Sequence, residues 1–263
     1  NPPRIIFTSG KKMIGLNART GKMDPGFGKE GEVALDLAYD GAPLIYKNML
    51  LLGTNFYGPG ERHIGPQLDM SAGQLAQQTG YDVRTGKKVW DFHTIPHQGE
   101  VGFDTWLKPG STLNRTGNNV WAFAMTLDEE RGLLYMPVSG PGANFYGGDR
   151  PGDNLFGNTL VAVDAETGKL KWYFQTVRHE LWDYNLPPAP SLIDIVKDGK
   201  KIPALAQVGK SGFMYILDRV TGKPIYGVEN KPVKAGDVPG EWYAPTQPIP
   251  VKPPPISRVS FTK

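Results

Sequence analysis

Leu160-Val161-Ala162-Val163-Asp164-Ala165-Glu166-Thr167-Gly168-Lys169-Leu170-Lys171-Trp172 reads as a β-hairpin. A run of apolar residues supplies the first strand. Asp164 starts the turn, and Gly168 supplies the positive-φ position that a tight loop needs. Leu170 to Trp172 begin the returning strand. The pattern occurs three more times. Ile14-Gly15-Leu16-Asn17 leads into Thr20-Gly21-Lys22, Gly80-Tyr81-Asp82 into Thr85-Gly86-Lys87, and Met214-Tyr215-Ile216-Leu217-Asp218 into Thr221-Gly222-Lys223. Trp90 and Trp172 follow two of the turns.

The turn glycines, Gly21, Gly86, Gly168 and Gly222, are unequally spaced. That excludes a regular solenoid and suits four-stranded blades with long loops between strands. Further short apolar runs predict strands at 47–53, 132–138, 202–208 and 213–217, the last two joined by the turn Gly209-Lys210-Ser211-Gly212. The best helical candidate, Ser71 to Thr79, is short and polar. The expected class is all-β. A β-propeller explains four copies of one hairpin better than a β-sandwich does. About four blades would form an open arc with two exposed edges.

The chain has 263 residues, 29 Lys and Arg against 26 Asp and Glu, and a net charge of +3. So mild an excess, with no basic block, suggests no nucleic-acid partner. The 33 Gly and 24 Pro indicate many turns, and the absence of Cys excludes disulfides and thiolate chemistry. No apolar run reaches the ~18 residues of a membrane-crossing helix. The chain begins Asn1-Pro2-Pro3 and ends in a segment with no recognisable closing element, Pro253-Pro254-Pro255 to Lys263. Both ends read as cut, so residues 1–263 are expected to be part of a longer propeller domain.

Some segments lie outside the hairpin pattern. Arg178-His179-Glu180-Leu181-Trp182-Asp183-Tyr184-Asn185 resembles the His-x-x-Trp-Asp-Tyr/Phe motif of quinoprotein dehydrogenases, and Thr116-Gly117-Asn118-Asn119-Val120-Trp121 resembles the family's Asn-x-Trp element. Gly209-Lys210-Ser211-Gly212 is similar to the segment with the family's cationic cofactor contact. Tyr146 to Asn154 is similar to the loop before the catalytic blade, and Pro245-Thr246-Gln247-Pro248 to a stretch of the membrane glucose dehydrogenase branch.

The resemblance implies an eight-bladed propeller that binds pyrroloquinoline quinone (PQQ) and oxidises a sugar or other alcohol. In that reading Asp183 is the general base, Lys210 faces the quinone oxygens and Trp121 is the floor beneath the rings. His179 and Trp182 flank Asp183 and complete the cofactor set. Family members use Ca²⁺, in some cases another cation such as Mg²⁺; Asn144, Asn55 and Glu61 are the candidate ligands. The alcohol-type roof, a vicinal disulfide, is absent from a chain without Cys. Electrons would pass to ubiquinone or another respiratory acceptor. The setting would be periplasmic, with any membrane anchor outside this chain.

Each residue also has a plainer reading. Asp183 could cap a turn before Pro187-Pro188, Lys210 could be a solvated turn residue, and Trp121 could pack between blades. The hairpins alone fit a non-catalytic propeller that scaffolds protein contacts. Gly209-Lys210-Ser211 resembles the tail of a phosphate loop, but Ala204 stands where the first Gly is required. His93 and His97 have the four-residue spacing of a helical metal pair, yet Pro96 and Gly99 oppose a helix, so both are expected in a loop.

Overall fold

Alternating apolar residues form antiparallel sheets throughout the computed structural model, which describes residues 3–36, 39, 41–53, 77–113, 115, 117–121, 124–142 and 144–258. The first sheet holds β1 (Arg4–Ser9), β2 (Lys12–Asn17) and β3 (Glu32–Ala34). The second holds β4 (Leu44–Tyr46), β5 (Met49–Leu52), β6 (Gln77–Asp82) and β7 (Lys88–His93). In the third, β8 (Thr126–Asp128), β9 (Leu133–Pro137), β10 (Thr159–Asp164) and β11 (Leu170–Gln175) pair in chain order. The fourth holds β12 (Ser191–Lys197), β13 (Lys200–Val208) and β14 (Met214–Asp218). A last hairpin joins β15 (Val228–Pro232) to β16 (Thr246–Pro250). Among the described residues the helical content is one 3₁₀ turn, Phe103–Thr105, and no helix is long and apolar enough to cross a membrane.

Sheets stack face to face, so inner strands are apolar on both sides. In β9, Leu134 and Met136 join Met49, Leu51 and Trp90 of the second sheet. Leu133 and Tyr135 of the same strand turn the other way, toward Leu205, Tyr215 and Leu217 of the fourth. Likewise, Leu50 and Leu52 of β5 meet Met13 of β2 and Phe27 of the turn before β3. The period of two in β-strands distributes these side chains between two interfaces. Each buried Leu or Val contributes about 1.5–3 kcal/mol.

The four turns fold alike. Asn17, Asp82, Asp164 and Asp218 each accept, through Oδ1, the backbone N–H groups two and three residues on. Gly21, Gly86, Gly168 and Gly222 then adopt φ of 68°, 71°, 68° and 72°. Neighbouring sheets dock on these turns. A Cβ at Gly168 would lie 2.5 Å from Trp90, and one at Gly222 would lie 2.6 Å from Trp172. The tryptophan after one hairpin therefore seats on the turn glycine of the next sheet. Val33 and Phe27 together take the corresponding place against Gly86.

Two expectations need correction. Gln77 to Thr79, the end of the expected helix, open β6 instead, where Thr79 pairs with Asp91 across the ladder; residues 71–76 lie outside the described residues. His93 is the last residue of β7 rather than a loop residue, while His97 does lie in the following turn.

Candidate active site

Four segments between the repeats converge. Gly117 bridges to Pro141, and Asn118 N–H donates to the Gly140 carbonyl at 2.9 Å. Asn119 N–H donates to Ser139 Oγ at 2.8 Å, and Ser139 N–H returns a bond to the Asn119 carbonyl. Thr94 Oγ1 donates to the Asn118 carbonyl at 2.7 Å, and the Asn118 side-chain amide donates back to Thr94. This ladder leads to Trp121, which is buried.

Asn185 connects the ladder to the carboxylate of Asp183. Its Oδ1 accepts the Gly140 N–H at 2.7 Å, and its Nδ2 donates to Asp183 Oδ1 at 2.5 Å. Asn144 Nδ2 donates to the same oxygen at 3.2 Å. Lys210 Nζ reaches the other oxygen, Oδ2, at 2.6 Å. The turn that carries Lys210 is positioned by its own amide, which donates to the Asn185 carbonyl at 2.9 Å. Three sequence-predicted residues, Asp183, Lys210 and Asn144, thus meet at one carboxylate. The Asp183 side chain remains a quarter exposed.

Asp183 holds φ at 58° and His179 at 48°. Asp tolerates this left-handed region better than most residues, and such conformations persist where surrounding bonds over-determine them. Glu180 provides those bonds. Its buried carboxylate accepts the N–H groups of Trp182 and Tyr184 and the side-chain amide of Asn158. Arg150, fully buried, donates to the Glu180 carbonyl at 2.6 Å. Burial pushes the Glu180 carboxyl above the usual range, and the Asp183 charge adds to that against the two amides. Burial, reinforced by Arg115, lowers the Arg150 guanidinium to about 10. Gly140 must be small here, because a Cβ would come within 2.8 Å of Glu180 Cγ.

His179 is turned inward. Its Nδ1 lies 2.8 Å from the Gly152 carbonyl, and its Nε2 lies 3.1 Å from Glu241 Oε1. A proton on Nδ1 is donated to that carbonyl, and Nε2 faces the Glu241 carboxylate. Burial first, and Arg150 second, lower the His179 pKa. Both ring nitrogens are thus in contact with protein groups. Trp182 is 70% exposed. It lines, with Tyr184, Phe213, Tyr243 and Ile249, a cleft of about 280 Å³. Asn55 and Glu61 lie outside the described residues. Sequence reasoning assigned no role to Glu180 or Asn185, although both stand in the quoted motif.

The family described as "PQQ: Glucose/ethanol/alcohol dehydrogenase, beta-propeller domain" matches residues 1–263. Quinate/shikimate dehydrogenase (quinone) of Acinetobacter baylyi is 35% identical over 269 residues, covering 97% of this chain and 32% of that protein. Quinoprotein glucose dehydrogenase of Gluconobacter oxydans is 33% identical over 252 residues, covering 93% and 30%. Among solved structures, quinohemoprotein alcohol dehydrogenase ADHIIG of Pseudomonas putida HK5 matches with a TM-score of 0.69 at 25% identity, over 94% of this chain and 36% of that one. The chain spans about a third of the length of these relatives.

Proposed function

The chain belongs to the β-propeller domain family of the PQQ-type glucose/ethanol/alcohol dehydrogenases, and from that premise we propose that the full-length protein oxidises a sugar, polyol or other alcohol, with Asp183 as its general base. The observation that carries the proposal is the meeting of Asp183, Lys210 and Asn144 at one partly exposed carboxylate, tied through Asn185 to the Trp121 segment.

The residues fit the cofactor and its cation. Asp183 and Asn144, joined through the Asn144 amide N–H, each carry a hard side-chain oxygen, the donor type that Ca²⁺ or Mg²⁺ selects. Lys210 supplies a positive charge, and Trp121 a planar apolar surface. When bound, PQQ supplies a quinone that takes up the hydride of the alcohol's carbinol carbon.

The protein's own part is proton handling and positioning. Asp183 Oδ2 takes the hydroxyl proton of the substrate, and the carbonyl product leaves. The ammonium of Lys210 is exposed and its pair with Asp183 is worth about 0–1 kcal/mol, so little is lost when a ligand separates them. Asn185 and Asn144 keep the other oxygen hydrogen-bonded, which fixes the direction of the lone pair that does the work. Electrons then leave for ubiquinone or another respiratory acceptor, on the periplasmic side of the inner membrane. The names of the quinate/shikimate and glucose relatives support a polyhydroxylated substrate and a quinone acceptor.

A PQQ titration of the full-length protein, followed by tryptophan fluorescence, tests the reading. Saturable quenching that needs Ca²⁺ and weakens in Trp121→Ala is expected. Absence of quenching in the unmutated protein with Ca²⁺ present would overturn it.

A further inference from the structure

The turn after β7 brings together three side chains that the proposed reaction does not use. Pro96 and Gly99 prevent a helix, and Gly99 adopts φ of 88°. The resulting turn closes with Glu100 N–H donating to the His97 carbonyl at 3.0 Å. It returns Glu100 to the end of β7, where the carboxylate contacts His93 Nδ1 at 2.8 Å. The His97 backbone N–H donates to the other carboxylate oxygen at 2.7 Å. The rings of His93 and His97 stack, with centroids 3.7 Å apart and planes within 10°. One ligand atom from each of the three residues lies within 4.8 Å of the others. His97 Nε2 is buried and has no hydrogen-bond partner among the described residues.

We propose that His93, His97 and Glu100 bind one divalent transition-metal ion of the zinc class, at a site sharing no residue with the Asp183 cluster. Two imidazoles and a carboxylate select such ions over Ca²⁺ or Mg²⁺, and three protein ligands leave a position for water. The ion gives the buried His97 nitrogen a partner. It replaces the His93–Glu100 contact by two bonds to metal. The stacked rings must rotate about their Cβ–Cγ bonds to aim both lone pairs at one point, and that torsion is soft in histidine. The amide of His97 already orients the carboxylate, as an outer partner does in metal sites. The consequence is a clip on the chain beside Thr94, the residue that bonds Asn118 at the start of the Trp121 ladder. His97 also borders a cleft of about 750 Å³ with Trp106 and Lys108, which gives an ion a route in from solvent.

The test uses zinc sulfate as the probe, on full-length protein saturated with Ca²⁺, with retained metal counted after desalting. One equivalent of zinc is expected. His97→Gln and Glu100→Gln should each weaken binding by about tenfold or more. X-ray absorption of the zinc-loaded unmutated protein should show two imidazole ligands, a readout that no folding defect can imitate. Retention of less than one equivalent, fewer than two imidazoles, or undiminished binding in both variants would overturn the proposal.

Discussion

The hairpin turn at Asp164 and the turn at Asp183 use acidic side chains in opposite ways. Asp164 turns its carboxylate back on its own loop, accepting the N–H groups of Glu166 and Thr167, and leaves positive φ to Gly168. Asp183 takes positive φ itself and points its carboxylate at the side chains of Asn144, Asn185 and Lys210. The loop-holding task passes to Glu180, which accepts the N–H groups of Trp182 and Tyr184. A carboxylate committed to its own backbone makes a reproducible corner. One relieved of that task by a neighbour is left for chemistry.

If the hairpin turns hold the fold and the Asp183 turn holds the chemistry, substitutions should separate the two. Trp90→Ala empties the seat on Gly168 between the second and third sheets. It should cost about 3–5 kcal/mol in urea unfolding and leave PQQ affinity unchanged in the protein that remains folded. Equal losses in stability and affinity would erase the distinction. Glu180→Gln keeps the shape but turns one acceptor oxygen into a donor facing N–H groups. A loss of about 1–3 kcal/mol in stability is expected, with roughly a tenfold fall in turnover and little change in KM. Asp164→Ala, in the hairpin turn, should cost about 1 kcal/mol and no activity.

The smallest effect is a difference in sign with pH. Burial opposes ionisation of Asp164, but the Thr167 hydroxyl, the Lys171 ammonium and the loop amides outweigh it and hold the pKa low. Its contribution to stability is present above the unfolded carboxylate range and is lost as pH falls through the folded value. Glu180, raised by burial, behaves the opposite way. Its contribution is present below the unfolded value, about 4.3, and is lost as pH rises through the folded one. Melting curves of Asp164→Ala and Glu180→Gln against pH, each referred to the unmutated protein, should therefore diverge in opposite directions. Parallel curves would mean that both carboxylates sit in equivalent environments.

The hairpins were legible because their information is local. Alternating apolar residues, an Asp and a Gly at fixed offsets specify each hairpin without reference to the rest of the chain. The strand Thr246–Pro250 was hidden by its prolines. It is fastened by Gln247, whose side chain pairs with both backbone groups of Arg178, a contact across the chain. β6 was obscured by its polar start, since Gln78 and Thr79 are buried only through pairing and packing with other strands. At the site, motifs singled out Asp183, Lys210 and Trp121 as candidates. Glu180 and Asn185 were not singled out, because their roles depend on burial beside Gly140 and Asn158. The His93 and His97 spacing pointed to a helix that Pro96 forbids, and a turn brought the rings together instead.

The most direct test of the central claim is substrate-dependent reduction of bound PQQ in Asp183→Asn, followed by absorbance in the full-length protein loaded with Ca²⁺. The asparagine retains the shape and hydrogen bonds but cannot take a proton. PQQ affinity should stay within a few-fold of the unmutated protein, while the reduction rate falls by about 10²–10⁴-fold. Reduction at an unchanged rate, with an active alcohol substrate and full cofactor occupancy, would contradict the assignment of Asp183 as the base.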